Sequence, residues 1–320
     1  MTLRVVFMGT PEFAVPSLCS LLASEYTVVG VFTQPDRPAG RGRRLAQSPV
    51  KKIASEERVL VYQPDTLRGP QTFEALSKLS PDLIVVAAYG LILPRRILEM
   101  PPKGCLNVHG SLLPKYRGAA PIPAAILAGD RATGVTIMLM DAGVDMGPIL
   151  AQASCPISAQ DTTPSLTAKL AEMGAALLMR TLRGWLAGEI DPQSQDEARA
   201  TYAPMIQKEV RLVDWSLPAE QLARQVRAYQ PWPGSVTDWE GTSLKLLQVD
   251  PLPGASGSGC PGQVVKWGEE IAVVTGEGLL VLRMVQIPGK RPLEAPEFAR
   301  GRRGFVGSVL GQSSEGRGCA

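Results

Sequence analysis

The sequence predicts an α/β protein in which a Rossmann-like, mostly parallel sheet domain is followed by a small OB-like β-barrel domain. Three observations carry that expectation. An apolar run at 3–8, apolar residues at helical spacing from Phe13 to Leu22 and a β-branched run at 26–32 fit one βαβ unit, whose strands are parallel. Apolar runs at 83–88, 105–109, 135–140 and 149–153 extend the same sheet. Beyond Pro231 the pattern changes to short β-rich runs at 235–239, 243–249, 262–266, 271–275 and 279–287, separated by Gly and Pro turns.

The 320 residues leave room for two domains with sizeable cores. Hydrophobic residues make up 45% and charged residues 20%, an ordinary globular balance. A net charge of +3 gives no global field for nucleic acid, so any such contact must rest on a local patch. Five scattered cysteines with no CxxC pair, beside a single histidine, argue for a reducing compartment and against a metal site. No apolar run approaches a membrane span, and the N-terminus enters a strand directly. A cytoplasmic, soluble monomer without a membrane partner is expected.

Taken in order, the first strand ends at Gly9-Thr10-Pro11. That turn lacks the GxGxxG spacing, and Pro11 and Phe13 would obstruct a pyrophosphate, so Gly9 is expected to be a turn glycine and no nucleotide cofactor is expected. Residues 34–52 read as a loop with six cations (Arg37, Arg41, Arg43, Arg44, Lys51 and Lys52) against the single Asp36. Phosphate contact and a merely solvated basic loop are both open for it. Short helices follow near 94–99 and 120–127, with a tight loop at 141–148. A long helix over 163–186 has Asp161 or Thr162 as cap, Pro164 in its first turn and Gly188 at its end. The expected organisation is a first domain over 1–190, a polar linker over 191–206, the β-barrel over 207–306 and a disordered Gly/Ser-rich tail over 307–320.

The stretch Cys105-Leu106-Asn107-Val108-His109-Gly110-Ser111-Leu112-Leu113-Pro114 reads as a buried strand running into a loop. Asn107 and His109 are two apart and share a face, where polar groups are costly unless paired or used. Asp145 lies in the loop between two later strands, and loops at strand ends are where open α/β sheets place their sites. An amide, an imidazole and a carboxylate suit acyl transfer between amines: one group moves a proton, one donates to a carbonyl oxygen gaining charge, one orients the imidazole. The plainer alternatives are a satisfied strand histidine, a turn-capping Asn107 and an Asx-turn at Asp145. Ser111 and Cys105 are close in sequence but carry no sign of nucleophile activation.

At these residues the chain resembles the methionyl-tRNA formyltransferases. The resemblance is carried by Phe7-Met8-Gly9-Thr10-Pro11-Glu12-Phe13-Ala14, Thr33-Gln34-Pro35-Asp36-Arg37-Pro38-Ala39-Gly40-Arg41-Gly42, the 107–114 block, Arg117-Gly118-Ala119-Ala120-Pro121-Ile122, Gly134-Val135-Thr136-Ile137-Met138 and Trp232-Pro233. It runs from about Leu3 to Phe305; the 107–114 block alone is shared with the wider group of enzymes that use formyltetrahydrofolate. The resemblance implies formyl transfer from 10-formyltetrahydrofolate to the α-amino group of methionine on initiator methionyl-tRNA, without a metal. It implies His109 for proton transfer, Asn107 for the formyl oxygen and Asp145 for support of the imidazolium. It further implies folate along Ser111, Leu112, Leu113 and Pro114, with the pterin near Ala88, Tyr89, Gly90, Leu91 and Met140. The basic loop with Arg37, Arg41, Arg43 and Arg44 would meet the tRNA acceptor arm. The nearest alternative is a formyltransferase acting on a small amine such as an amino-sugar nucleotide; a formyltetrahydrofolate hydrolase and a non-catalytic RNA-binding module stand further off.

Overall fold

A computed structural model of the chain describes residues 2–39, 44–255 and 257–311. Strand β1 (Arg4–Gly9) leads to α1 (Val15–Leu22) and β2 (Thr27–Phe32), then to a ribbon of β3 (Arg37–Ala39) and β4 (Arg44–Ala46). Next come α2 (Pro49–Glu56), β5 (Val61–Tyr62), α3 (Pro70–Leu79), β6 (Leu83–Ala87), α4 (Arg95–Leu98) and β7 (Cys105–His109). Helix α5 (Pro121–Ala128), strands β8 (Ala132–Leu139) and β9 (Ile149–Pro156) and the long α6 (Thr163–Ala187) follow.

Seven of these strands form one sheet in the order β5-β2-β1-β6-β7-β8-β9. The pairings from β5 to β7 are parallel, and β8 and β9 are antiparallel. Val5 to Met8 in central β1 are wholly buried, as a strand covered on both faces requires. The order reverses between β1 and β6, so their carboxyl ends open a crevice. Gly9 is not a turn glycine as the sequence suggested. It is the last residue of β1, and a Cβ there would stand 2.7 Å from the Phe7 ring and 2.8 Å from Ala14. Helix α6 buries Leu166, Leu170, Ala171, Leu178 and Leu182, one stripe at helical spacing.

The reading of 34–52 as a loop is also corrected. β3 and β4 pair antiparallel, and α2 starts at Pro49 behind Ser48, whose Oγ accepts from the Lys51 N–H. Lys51 Nζ binds Asp36 Oδ2 at 2.7 Å and Gln63 Nε2 binds Asp36 Oδ1 at 2.8 Å, which together hold the Asp36 carboxyl below its usual range. Lys51 is thus engaged inside the fold.

The chain divides into two compact units, and the division does not fall at one point. The first holds the chain up to Ile122 with Ala132–Pro156 and Ser165–Pro204; the second holds Pro123–Arg131, Ile157–Pro164 and the chain from Met205 onward. Most of the expected linker over 191–206 therefore belongs to the first unit. Gln193 exchanges both backbone hydrogen bonds with Ile149, and Ala203 N donates to Arg117 O at 2.7 Å. A polar, pattern-poor composition cannot distinguish a tether from a segment held by backbone pairing.

The second unit contains α7 (Ala219–Ala228), then β10 (Ser235–Trp239), β11 (Thr242–Leu252), β12 (Val264–Trp267), β13 (Glu270–Val274), β14 (Leu279–Gln286), β15 (Leu293–Glu294) and α8 (Ala295–Arg300). The strands pair antiparallel in the order β10-β11-β14-β13-β12, with β15 beside β14. Among the described residues no ladder joins the ends β10 and β12 of this expected barrel. Trp239, Phe298 and Phe305 meet edge to face in its core. The expected tail begins later than 307: Val264 N donates to Ser308 O at 2.8 Å, Gly311 N to Asp238 O at 2.8 Å, and Leu310 is buried. Residues 312–320 lie outside the described residues.

Candidate active site

β7 is buried along its whole length, between parallel β6 and antiparallel β8. Its pleat places Asn107 and His109 on one face, at 8% and 6% exposure, so both need partners. Asp145 supplies them by an unexpected route. Because β8 runs antiparallel, its carboxyl end lies beside the start of β7, where Met140 N donates to Cys105 O at 2.8 Å. The loop must then travel back along β7, about 13 Å at strand rise from Cys105 to His109. Asp145 ends that path with a left-handed backbone (φ 54°).

Two donors and the imidazole converge on its carboxylate. Asn107 Nδ2 donates to Oδ1 at 3.3 Å and Gly118 N to Oδ2 at 2.8 Å, while His109 Nδ1 stands 3.6 Å from Oδ2. His109 Nε2 lies 3.0 Å from the carbonyl oxygen of Tyr116, a second non-glycine residue in the left-handed region (φ 60°). Such conformations cost about 1–3 kcal/mol each and persist where surroundings over-determine them. Here the two strained residues carry the two oxygens that face the ring.

The chain after β7 is built by Thr136. Its Oγ1 donates to Ser111 O at 2.7 Å and accepts from Leu113 N at 3.0 Å and from Gln152 Nε2 at 2.9 Å. Gln152 Nε2 also donates to Leu113 O at 2.8 Å, just before a cis Leu113–Pro114 peptide. Ser111 is fully buried and its Oγ donates to Lys115 O at 2.6 Å, so this hydroxyl builds the turn. Cys105 is buried as well, and burial pushes its thiol up to about 12, the opposite of an activated nucleophile.

Of the residues expected at a folate, Leu112, Pro114, Leu91 and Met140 are half-buried and Ala88 and Gly90 are exposed. Ser111, Leu113 and Tyr89 are core residues. Tyr89 O, beside the carboxyl ends of β1 and β6, accepts from Thr10 Oγ1 at 3.0 Å and Gln34 Nε2 at 3.3 Å, and burial raises the pKa of its phenol. Arg37 is exposed on the ribbon, with Nη2 donating to Gln34 Oε1 at 3.1 Å. Arg41 and Arg43 lie outside the described residues, as does the side chain of Arg44.

Sequence reasoning missed a further group. Arg117 is wholly buried, and its guanidinium donates to Glu197 through Nη1 (2.9 Å) and Nη2 (2.7 Å) and to Gln195 Oε1 through Nε (3.0 Å) and Nη2 (2.9 Å). Hydrogen bonding to Arg117 holds the Glu197 carboxyl below its usual range. Gly118 next to it has φ 108°, and a Cβ there would stand 2.8 Å from Ala203 O, so only glycine fits. No local signal in the 191–206 stretch marks Gln195 or Glu197.

The half-buried Asp145 carboxylate thus stands against both the buried imidazole and the buried amide of β7. The formyl transferase model covers residues 3–182, and the formyl transferase C-terminal domain model covers residues 205–303. The chain belongs to the formyl transferase family. This formyl transferase is 48% identical over 299 residues to the methionyl-tRNA formyltransferase of Methylococcus capsulatus, covering 92% of this chain and 96% of that one. It is 46% identical over 316 residues to the methionyl-tRNA formyltransferase of Pseudomonas fluorescens, covering 98% of each. In fold it is similar to WlaRD, a sugar 3N-formyl transferase (TM-score 0.66, 17% identity, 91% of this chain and 100% of that one). HypX from Aquifex aeolicus in complex with tetrahydrofolic acid is also similar (TM-score 0.62, 20% identity), over 96% of this chain but 49% of HypX.

Proposed function

We propose that this formyl transferase moves the formyl group of 10-formyltetrahydrofolate onto the α-amino group of methionine on initiator methionyl-tRNA. The observation that carries the chemistry is that Asp145, from the loop after β8, meets both Asn107 and His109 on the buried face of β7. The amine nitrogen attacks the formyl carbon, the carbonyl oxygen becomes an oxyanion, and the bond from that carbon to folate N10 then breaks. One proton leaves the amine and one arrives at N10, so the reaction needs a group that accepts and returns a proton. His109 fills that role, and a ring that gains a proton finds an oxygen at each nitrogen, Asp145 Oδ2 and Tyr116 O. Asn107 Nδ2 is the donor for the oxyanion, and Asp145 orients the imidazole. The folate takes the crevice bordered by Leu112, Pro114, Ala88, Gly90, Leu91 and Met140.

The full-length similarity to two methionyl-tRNA formyltransferases supports the tRNA as acceptor. The basic stretch with Arg37, Arg41, Arg43 and Arg44 contacts the acceptor arm through phosphates. The protein acts in the cytoplasm as a monomer, and no helix among the described residues is long and apolar enough to cross a membrane. The likeness to a sugar formyl transferase keeps one alternative, a small amine such as an amino-sugar nucleotide. The deciding experiment supplies 10-formyltetrahydrofolate with initiator methionyl-tRNA, free methionine or an amino-sugar nucleotide. Formylation of the tRNA alone is the expected outcome, and faster turnover of the sugar would replace the tRNA reading.

A further inference from the structure

The side-chain amide of Gln195 is fully engaged. Its Oε1 accepts from Arg117 Nε and Nη2, and its Nε2 donates to the backbone carbonyls of Asp145 and Gly147, both at 2.8 Å. The partners leave no choice of orientation: a flipped amide would set N–H groups against the guanidinium and an oxygen against two carbonyls. On the same segment, Thr201 Oγ1 accepts from Tyr116 N at 2.9 Å, and Thr201 O accepts from Arg117 N at 2.8 Å. Tyr116 and Asp145 are the two strained residues whose oxygens face His109. One segment, 193–203, therefore grips both.

We propose that Gln195, oriented by buried Arg117, is a positioning residue that holds Asp145 in its left-handed conformation, and that 193–203 is a strap setting both oxygens around His109. The proposal rests on the reading of Asn107, His109 and Asp145 as the catalytic set. Its logic is over-determination: a carboxylate at the end of a long loop keeps a strained backbone only if something outside the loop pins its carbonyl. The two N–H donors of Gln195 do so, and Arg117 prevents that amide from turning away. The hydrogen bonds of Gln195 among the described residues go to Arg117 and to the 145 and 147 carbonyls, not to the imidazole or the oxygens that face it.

Gln195→Glu tests this, because it keeps the size and the Arg117 partner while removing both donors to the 145–147 backbone. The expected result with full-length enzyme and initiator methionyl-tRNA is a kcat about tenfold to a hundredfold lower, the scale of a small misplacement of reacting groups, with KM for both substrates unchanged. Glu197→Gln weakens the grip on Arg117 but leaves the donors to Asp145, so it loses less kcat. If Gln195→Glu folds poorly, Gln195→Ala is compared with Glu197→Ala, and the Gln195 variant must lose more kcat at equal loss of Tm. Wild-type kcat in Gln195→Glu, or equal losses in the paired variants, overturns the proposal. Asp145→Asn run alongside separates the two levels. Full activity in Asp145→Asn sinks the catalytic set itself, whereas loss there without loss in Gln195→Glu sinks only the strap.

Discussion

The face of β7 and the β3–β4 ribbon are both polar, and they solve opposite problems. On β7, His109 and Asn107 are almost closed to solvent, and each finds a partner whose own backbone is pinned elsewhere. On the ribbon, Arg37 and Leu45 stand in solvent, and among the described residues Arg37 Nη2 donates to its neighbour Gln34. Preorganisation costs strain and burial but fixes geometry for a reaction. An exposed ribbon keeps its charges free to neutralise phosphates, where register matters less than field. On the proposed function, the difference separates residues that answer to chemistry from residues that answer to encounter.

Substitutions on the two regions should therefore fail in different ways. The largest expected effect is His109→Ala, with kcat for formyl transfer falling roughly 10²–10⁴-fold, the usual contribution of a positioned acid–base group. Steady-state rates on initiator methionyl-tRNA check this, and a loss below tenfold would return His109 to a satisfied strand residue. Next, Leu106→Ala beside the site should destabilise by about 2–5 kcal/mol, since Leu106 is wholly buried. Leu45→Ala on the ribbon, where Leu45 is 72% exposed, should stay within about 0.5 kcal/mol. Denaturant unfolding of the pair measures the contrast directly.

Arg37→Ala should weaken tRNA use while leaving folate binding intact, and should reduce the salt slope of tRNA affinity by about one, as for a single phosphate contact. An equal loss of folate binding would place the ribbon in the folate site instead. The smallest effect expected is pH-dependent. The folded-state pKa of Glu197 lies below its unfolded value, so its pairing with Arg117 stabilises fully above the usual carboxylate range and is lost as pH falls through the lowered folded value. The Tm gap between wild type and Glu197→Gln should be widest near neutral pH and close in acid. A gap independent of pH would mean that Arg117 does not need the charge.

Much of the molecule was legible in the sequence because its signals are local. β1, β2, β6 and β7 announce themselves as apolar runs, and the two-residue spacing of Asn107 and His109 puts both on one face whatever surrounds them. α2 and α3 were not read, since their apolar positions are sparse and α2 begins inside a basic stretch that looks like a loop. The beginning of the tail was misjudged for a related reason: Leu310 is one apolar residue among glycines and serines, and only its place under the second sheet buries it.

By itself, then, the sequence determined the strands, the polar pair on β7, the acidic partner 36 positions beyond His109 and the resemblance that gave them roles. Tertiary structure alone decided that β8 runs antiparallel, that Asp145 must double back along β7 to reach its partners, and that Arg117 and Gln195 meet across 78 positions. The physical reason is range. Alternation and propensity act over a few residues, whereas a buried guanidinium can be paired only by groups that the finished fold brings to it.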